Sequence, residues 1–250
     1  MFKNIIITGA SDGIGYELCL LFSQYGARIY ANGRSVEKLE KLKAKCLEIG
    51  AKEVSIFACD VSNRDSIIKW LDSIFNSNKN IDLVLANAGI ARANNALESD
   101  FNVLEVNILG VANTILPSIN YLKMQSISSQ IAITGSAAGY FVMPSSYSYS
   151  SSKVFCNALA EGLYLNLKDS NIAVSIINPG FVDTNLIKNA KYKIFSSISP
   201  QKAAKIILSG LIRKKRVISF PFFIVFLARF YNILPISIKR MFQFILPKGL

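Results

Sequence analysis

The segment Thr8-Gly9-Ala10-Ser11-Asp12-Gly13-Ile14-Gly15 constrains this 250-residue chain more than any other. It joins a short β-branched apolar run, residues 4–8, to a stretch of helical periodicity over residues 15–25. Strand, glycine-rich turn and helix therefore follow one another at the start of a β-α-β unit. Without Cβ atoms the glycines let the backbone turn sharply and let an anionic group approach the helix N-terminus, where free N–H groups and the helix dipole favour negative charge. Tight turns also need glycine for steric reasons alone, so the position of this one carries as much weight as its composition.

The rest of the chain repeats the alternation. Residues 27–31, 54–59, 81–86, 130–134, 172–177 and 216–220 are apolar runs that predict strands. Ser35 caps a helix whose Val36, Leu39, Leu42, Cys46 and Leu47 recur at helical spacing, ending at Gly50. Further helices are expected over 64–75, 100–110, 150–167 and 201–211. Strands that are apolar throughout, alternating with helices, predict a parallel sheet covered on both faces: a three-layer, doubly wound α/β fold. With 51% hydrophobic and 18% charged residues the chain supports a sizeable core, and with no repeat or linker it reads as one domain.

Composition removes several chemistries. The chain holds no histidine, which excludes Ser-His-Asp and Cys-His mechanisms and any His-ligated metal. Cys19, Cys46, Cys59 and Cys156 lie far apart with no C-x-x-C pair, suggesting neither a zinc site nor a disulfide framework. The sequence enters its first strand with no signal-like segment ahead, which predicts a reduced, cytoplasmic setting.

Two further patterns carry chemistry. The second strand runs into Asn32-Gly33-Arg34-Ser35 with no carboxylate for a ribose hydroxyl. Arg34 suits a 2′-phosphate instead, so NADP(H) is favoured over NAD(H), although Asp12 stands in the turn where a base would have strengthened the case. Tyr149-Ser150-Ser151-Ser152-Lys153 places a phenol and an ammonium on one helix face. An ammonium beside a phenol stabilises the phenolate and prepares it as a general acid/base. Ser136 follows a strand at the carboxyl edge where open α/β sheets bind ligands. Tyr147 has Ser151 at the same spacing and so no cationic neighbour.

Together these residues resemble the short-chain dehydrogenases/reductases over about residues 1–220. The likeness rests on Thr8-Gly9-(x)3-Gly13-x-Gly15, Asp60, Asn87-Ala88-Gly89, Asn107, Ser136, Tyr149-(x)3-Lys153 and Pro179-Gly180-(x)3-Thr184. It implies a Rossmann-like fold in which Tyr149 exchanges the substrate proton and Ser136 polarises the carbonyl. Lys153 would bind the nicotinamide ribose and favour the tyrosine's phenolate, and Asn107 would hold the water of a proton relay. It further implies that Asp60 and Val61 contact adenine, that Asn87, Ala88 and Gly89 back the ribose, and that Pro179, Gly180, Val182 and Thr184 hold the carboxamide and phosphate. Two departures are Ala86, where the family often has a second asparagine, and Asp12 within the turn.

The C-terminal quarter differs in charge. Residues 1–183 carry 15 basic and 16 acidic side chains, whereas 184–250 carry 13 basic and none acidic, for a total of +12. Residues 221–234 and 236–246 predict two short amphipathic helices with basic polar faces, and 221–234 is too short to span a bilayer. Arg213-Lys214-Lys215-Arg216 adds a basic cluster upstream. These features mark 221–250 as an extension that meets either an anionic membrane surface or another subunit of a homo-oligomer. A nucleic-acid partner is not expected, because the run 222–227 reads as a buried or lipid-facing surface rather than a base-stacking platform. The loop 185–200, with Leu186, Ile187, Tyr192, Ile194 and Phe195, favours an apolar substrate. The leading expectation is an NADPH-dependent reductase of an apolar, lipid-like ketone or aldehyde. A soluble oligomer acting on a small hydroxy or oxo compound and a non-catalytic NADP-sensing protein are its rivals.

Overall fold

A computed structural model describes residues 1–77, 79–91, 97–142, 146–184 and 197–243. The described strands form one sheet with β1 (Asn4–Ile7) inside it, β2 (Arg28–Gly33) and β3 (Glu53–Ala58) to one side. On the other side lie β4 (Leu83–Ala86), β5 (Ser129–Thr134), β6 (Ile172–Pro179) and β7 (Val217–Phe220). The order β3-β2-β1-β4-β5-β6-β7 is parallel at every pairing. The chain moves outward from β1 through β2 to β3, then returns to β4 on β1's other edge. This reversal opens a crevice beyond the carboxyl ends of β1 and β4.

Alternating strand residues feed two apolar layers. Ile5, Ile7, Ile29, Leu83 and Leu85 meet Phe22 of α1 (Gly13–Ser23), Leu39 and Leu42 of α2 (Val36–Ile49) and Ile207 of α7 (Pro200–Ile212). Ile6, Val84, Ile131 and Ile133 point the other way. They meet Trp70 and Leu71 of α3 (Arg64–Phe75), Val111 and Ile115 of α5 (Gly110–Met124) and Cys156 and Ala160 of α6 (Tyr147–Asn166). The doubly wound α/β expectation therefore stands.

Three local differences bear on the site. First, the helix expected over 100–110 is part of a longer helical stretch: α4 (Leu97–Leu104), a π-helical turn Glu105–Leu109, and α5. Pro117 and a set of small polar residues hide α5 in the sequence. Thr114 and Ser118 satisfy themselves locally, donating to the carbonyls of Gly110 and Thr114 at 2.8 Å each. The whole stretch is long and apolar enough to cross a membrane, yet Val103, Val111, Ile115 and Leu122 are buried in the protein. Second, α1 starts at Gly13 because Asp12 caps it, accepting from the Gly13 N–H at 2.7 Å. Third, α6 starts at Tyr147 rather than 150. Buried Asp100 of α4 accepts hydrogen bonds from Tyr147 Oη (2.8 Å) and Ser148 Oγ (2.6 Å), pinning the first turn.

Two short helices, α8 (Phe222–Asn232) and α9 (Ile236–Gln243), follow β7 as expected. Residues 185–196 of the expected substrate loop and 244–246 of the second amphipathic segment lie outside the described residues.

Phe22 is fully buried and edge-on to Phe2 at a centroid distance of 6.0 Å. Phe22→Ala is expected to destabilise the protein by about 3–5 kcal/mol, read as a lower urea midpoint in circular dichroism.

Candidate active site

The glycine turn is defined by what its glycines touch. Gly9 has φ +66°, and a Cβ there would lie 2.6 Å from the Ala88 Cα. A Cβ on Gly15 would run into the Gly9 carbonyl and the Asn87 amide. At Gly13, φ is +55° and a Cβ would stand 2.9 Å from Thr184 Cγ2. These close approaches bring Thr184, Asn87 and Ala88 to the N-terminus of α1. Thr8, the first residue of the glycine-turn motif, holds the crevice together. Thr8 Oγ1 accepts from the N–H groups of Asn87 (3.2 Å) and Ala88 (3.3 Å). Asn87 donates to the Gly9 carbonyl at 3.1 Å and accepts from Thr134 at 3.2 Å. The tips of β1, β4 and β5 are thus tied to one another. The cradle, with its capped helix N-terminus and no room for side chains, fits a dinucleotide pyrophosphate. Half-buried Ser11 and Ile14 complete the turn.

At the far end of β2, Gly33 abuts Ser11: a Cβ would lie 2.9 Å from its hydroxyl. Arg34 is exposed, and its guanidinium lies 3.7 Å from Asp60, so it is a loosely paired cation rather than a solitary one. Asp60 also accepts from the Ser62 N–H and hydroxyl. Sequence reasoning missed a second cation, Lys38, whose Nζ meets Asp12 at 3.2 Å. Its only local signal is the cap geometry, since its own N–H bonds to Ser35 three residues earlier. Asp12 is thereby balanced rather than opposed to an anion. Val61 is buried against Gly110 of α5, with its carbonyl accepting from Asn113 at 3.0 Å.

The other end of the crevice gathers Asn107, Ser136, Tyr149 and Lys153. Lys153 is 3% exposed, and its Nζ donates to the Thr134 carbonyl at 2.9 Å while standing 5.7 Å from the Tyr149 ring centroid. No acidic side chain pairs with it among the described residues. Asn107, fully buried in the π-helical turn, accepts from the Ile90 N–H at 2.8 Å. Its amide donates to the Ile90 carbonyl (2.9 Å) and to Ser152 Oγ (3.0 Å). A Cβ on Gly89 would sit 3.3 Å from Asn107 Oδ1 and 3.4 Å from Lys153 Nζ. The asparagine side chain therefore clamps the loop after β4 onto α6, and a π turn at such a position is common at functional sites. Half-buried Ser136 caps a 3₁₀ turn, Ala137–Gly139, accepting from the Ala138 N–H at 3.1 Å. That turn lies flush on α6: a Cβ on Gly139 would be 2.7 Å from the Lys153 carbonyl. Half-buried Tyr149 has no hydrogen-bond partner for its hydroxyl among the described residues. Burial pushes the Cys156 thiol up, keeping it protonated behind Lys153.

Pro179 ends β6, the Gly180 N–H donates to the Phe220 carbonyl at 2.7 Å, and buried Val182 bridges in parallel to Ile198.

A family model described as short chain dehydrogenase matches residues 3–194. The chain is 30% identical over 233 residues to the 17-beta-hydroxysteroid dehydrogenase 13 of Rattus norvegicus, covering 89% of this chain and 76% of the relative. It is also 30% identical to the farnesol dehydrogenase of Aedes aegypti, covering 74% and 79%. Among solved structures, a short chain dehydrogenase/reductase from Burkholderia phymatum in complex with NAD aligns at TM-score 0.84 and 20% identity, covering 96% of this chain and 95% of that one. A short-chain dehydrogenase from Sphingobium yanoikuyae in complex with NADPH aligns at 0.79 and 21%, covering 98% and 96%.

Gly15→Ala forces the turn away from Asn87. Titration calorimetry is expected to show nicotinamide dinucleotide affinity reduced about ten-fold or more, with far-UV circular dichroism unchanged.

Proposed function

The chain belongs to the short-chain dehydrogenase/reductase family, an oxidoreductase family with a nicotinamide cofactor, and from that premise we propose an NADPH-dependent enzyme that reduces a ketone or aldehyde, or oxidises the alcohol, of an apolar substrate. The observation that carries this reading is Lys153. A buried ammonium whose described partner is a single backbone carbonyl is costly unless its remaining donors serve a purpose. Here two N–H donors remain beside the Tyr149 phenol and the Gly89 backbone.

When bound, NADPH would supply the hydride for the carbonyl carbon. Tyr149 donates its hydroxyl proton to the carbonyl oxygen, and the C=O bond becomes CH–OH. Ser136 holds that oxygen by hydrogen bonding. Lys153 would hold the nicotinamide ribose and stabilises the phenolate left on Tyr149. Asn107 keeps the loop after β4 against α6 and holds the water that returns a proton. At the adenosine end, Gly33 offers no carboxylate, and Arg34 and Lys38, paired with Asp60 and Asp12, are the cations that would hold a 2′-phosphate. Asp60 and Val61 would border adenine; Asn87, Ala88 and Gly89 would back the ribose; Pro179, Gly180, Val182 and Thr184 would hold the carboxamide and phosphate.

Relatives named for a hydroxysteroid and for farnesol support an apolar substrate. Residues 1–220 form the catalytic unit in this reading, working in the cytoplasm, with 221–250 appended to it. A homo-oligomer acting on a small soluble metabolite is the second reading, favoured by the exposed apolar face of α8. The pairing of Lys153 with Tyr149 weighs against a non-catalytic sensor.

Tyr149→Phe is expected to lower turnover by about 10²–10⁴-fold with NADPH binding retained; full turnover would overturn the mechanism. Arg34→Ala is expected to weaken NADPH about ten-fold and to leave NADH unchanged, measured by fluorescence titration.

A further inference from the structure

Helix α8 is oriented against the usual rule for a helix on a water-soluble surface. Its small Val225 and Ala228 are buried, while Phe222 is 82% exposed, Phe223 67% and Phe226 55%. Leu227, Phe230 and Ile233 continue the same outward face, and Ile236 and Ile238 extend it onto α9. A helix that only covered a sheet would bury the large side chains and expose the small ones. Arg229, itself exposed, links the helix to the body: it donates to Tyr140 Oη at 2.9 Å and stacks on that ring at 4.5 Å. Phe141 and Tyr231 make an edge-to-face contact at 6.0 Å. The 3₁₀ turn that Ser136 caps ends at Tyr140, so α8 is fixed to the segment following Ser136 with its apolar side outward.

The charges surrounding this face are predominantly basic, although Glu161 shares its cavity with Arg216 and Arg229 and pairs with Arg216 at 3.8 Å. The tertiary structure brings Arg216 and Arg229 to line one cavity of about 110 Å³, setting the Arg213–Arg216 cluster beside the C-terminal half of α8. Lys214 and Lys215 are exposed, with no acidic partner among the described residues. From residue 184 onward the sequence has 13 basic residues and no acid. A contiguous aromatic face rimmed by cations complements a surface that is apolar inside and anionic at its boundary. A second copy of the chain fits less well, because a self-complementary contact would bring two copies of the same basic rim together.

We propose that α8 and α9 dock on an anionic lipid surface, the aromatic face entering the acyl boundary and the 213–216 cluster meeting headgroup phosphates, so that the Ser136 side of the crevice lies next to the bilayer. The proposal concerns binding, and it stands whether or not Tyr149 and Lys153 perform the chemistry assigned to them.

The test is co-sedimentation of the full chain with vesicles of phosphatidylcholine alone and of a phosphatidylcholine–phosphatidylglycerol mixture, at low and raised salt. The expected result is binding to the anionic vesicles only, weakened by salt. Phe223→Ser with Phe226→Ser, and separately Lys214→Gln with Lys215→Gln, are expected to lower the bound fraction about ten-fold each. All these residues are exposed, and unchanged thermal melts and NADPH titration would confirm folded variants. Absence of binding by the full chain, or binding that neither variant lowers, would overturn the proposal. So would sedimentation velocity showing a dimer that the phenylalanine variant converts to monomer, which would assign the face to a second copy.

Discussion

The molecule depends on how closely the tips of β1 and β4 approach each other. Ala88 lies where a side chain on Gly9 would be, and the Gly9 carbonyl and Asn87 lie where one on Gly15 would be. Thr8 secures the junction by accepting from two successive backbone N–H groups of the neighbouring strand's loop. Because the sheet order reverses here, the crevice for a dinucleotide and the anchor for the loop to Ile90 are parts of one structure. Loosening it would move both the helix N-terminus that faces the anion and the glycine that faces Lys153.

From that junction the site is built by burial. Lys153 reaches the crevice through α6, whose first turn is held by Asp100 on a different helix. Asn107 lies in a π-helical turn, and its side chain spends both amide protons and one lone pair on the Ile90 backbone and Ser152. Neither Asp100 nor Asn107 needs to meet a ligand to matter: each fixes the angle at which α6 presents Tyr149 and Lys153. Rigid second partners of this kind keep a buried ammonium from relaxing into a less useful position.

The sequence alone reveals much of the fold. Apolar strands alternating with helices locate each strand, and Ser35, with its side chain on the Lys38 N–H, caps α2 as its residue type predicts. The glycine turn and the Tyr149–Lys153 spacing are equally legible, since each is a local pattern within one element or one turn. Helix α5 was not, because Pro117 and hydroxyl side chains that bond to their own helix look like breakers when only composition is read.

What the sequence determined by itself was therefore the strands and most of the helices, the parallel sheet and the residue types in the crevice. Tertiary structure alone decided the pairings between positions far apart in the chain: Asp12 with Lys38, Arg34 with Asp60, Asp100 with Tyr147 and Ser148, Arg229 with Tyr140. It also decided which side of α8 faces outward. Helical periodicity states that a face exists, but only the packing partner determines whether that face is covered, and here β7 and the Ser136 turn take the small residues and leave the aromatic ones exposed.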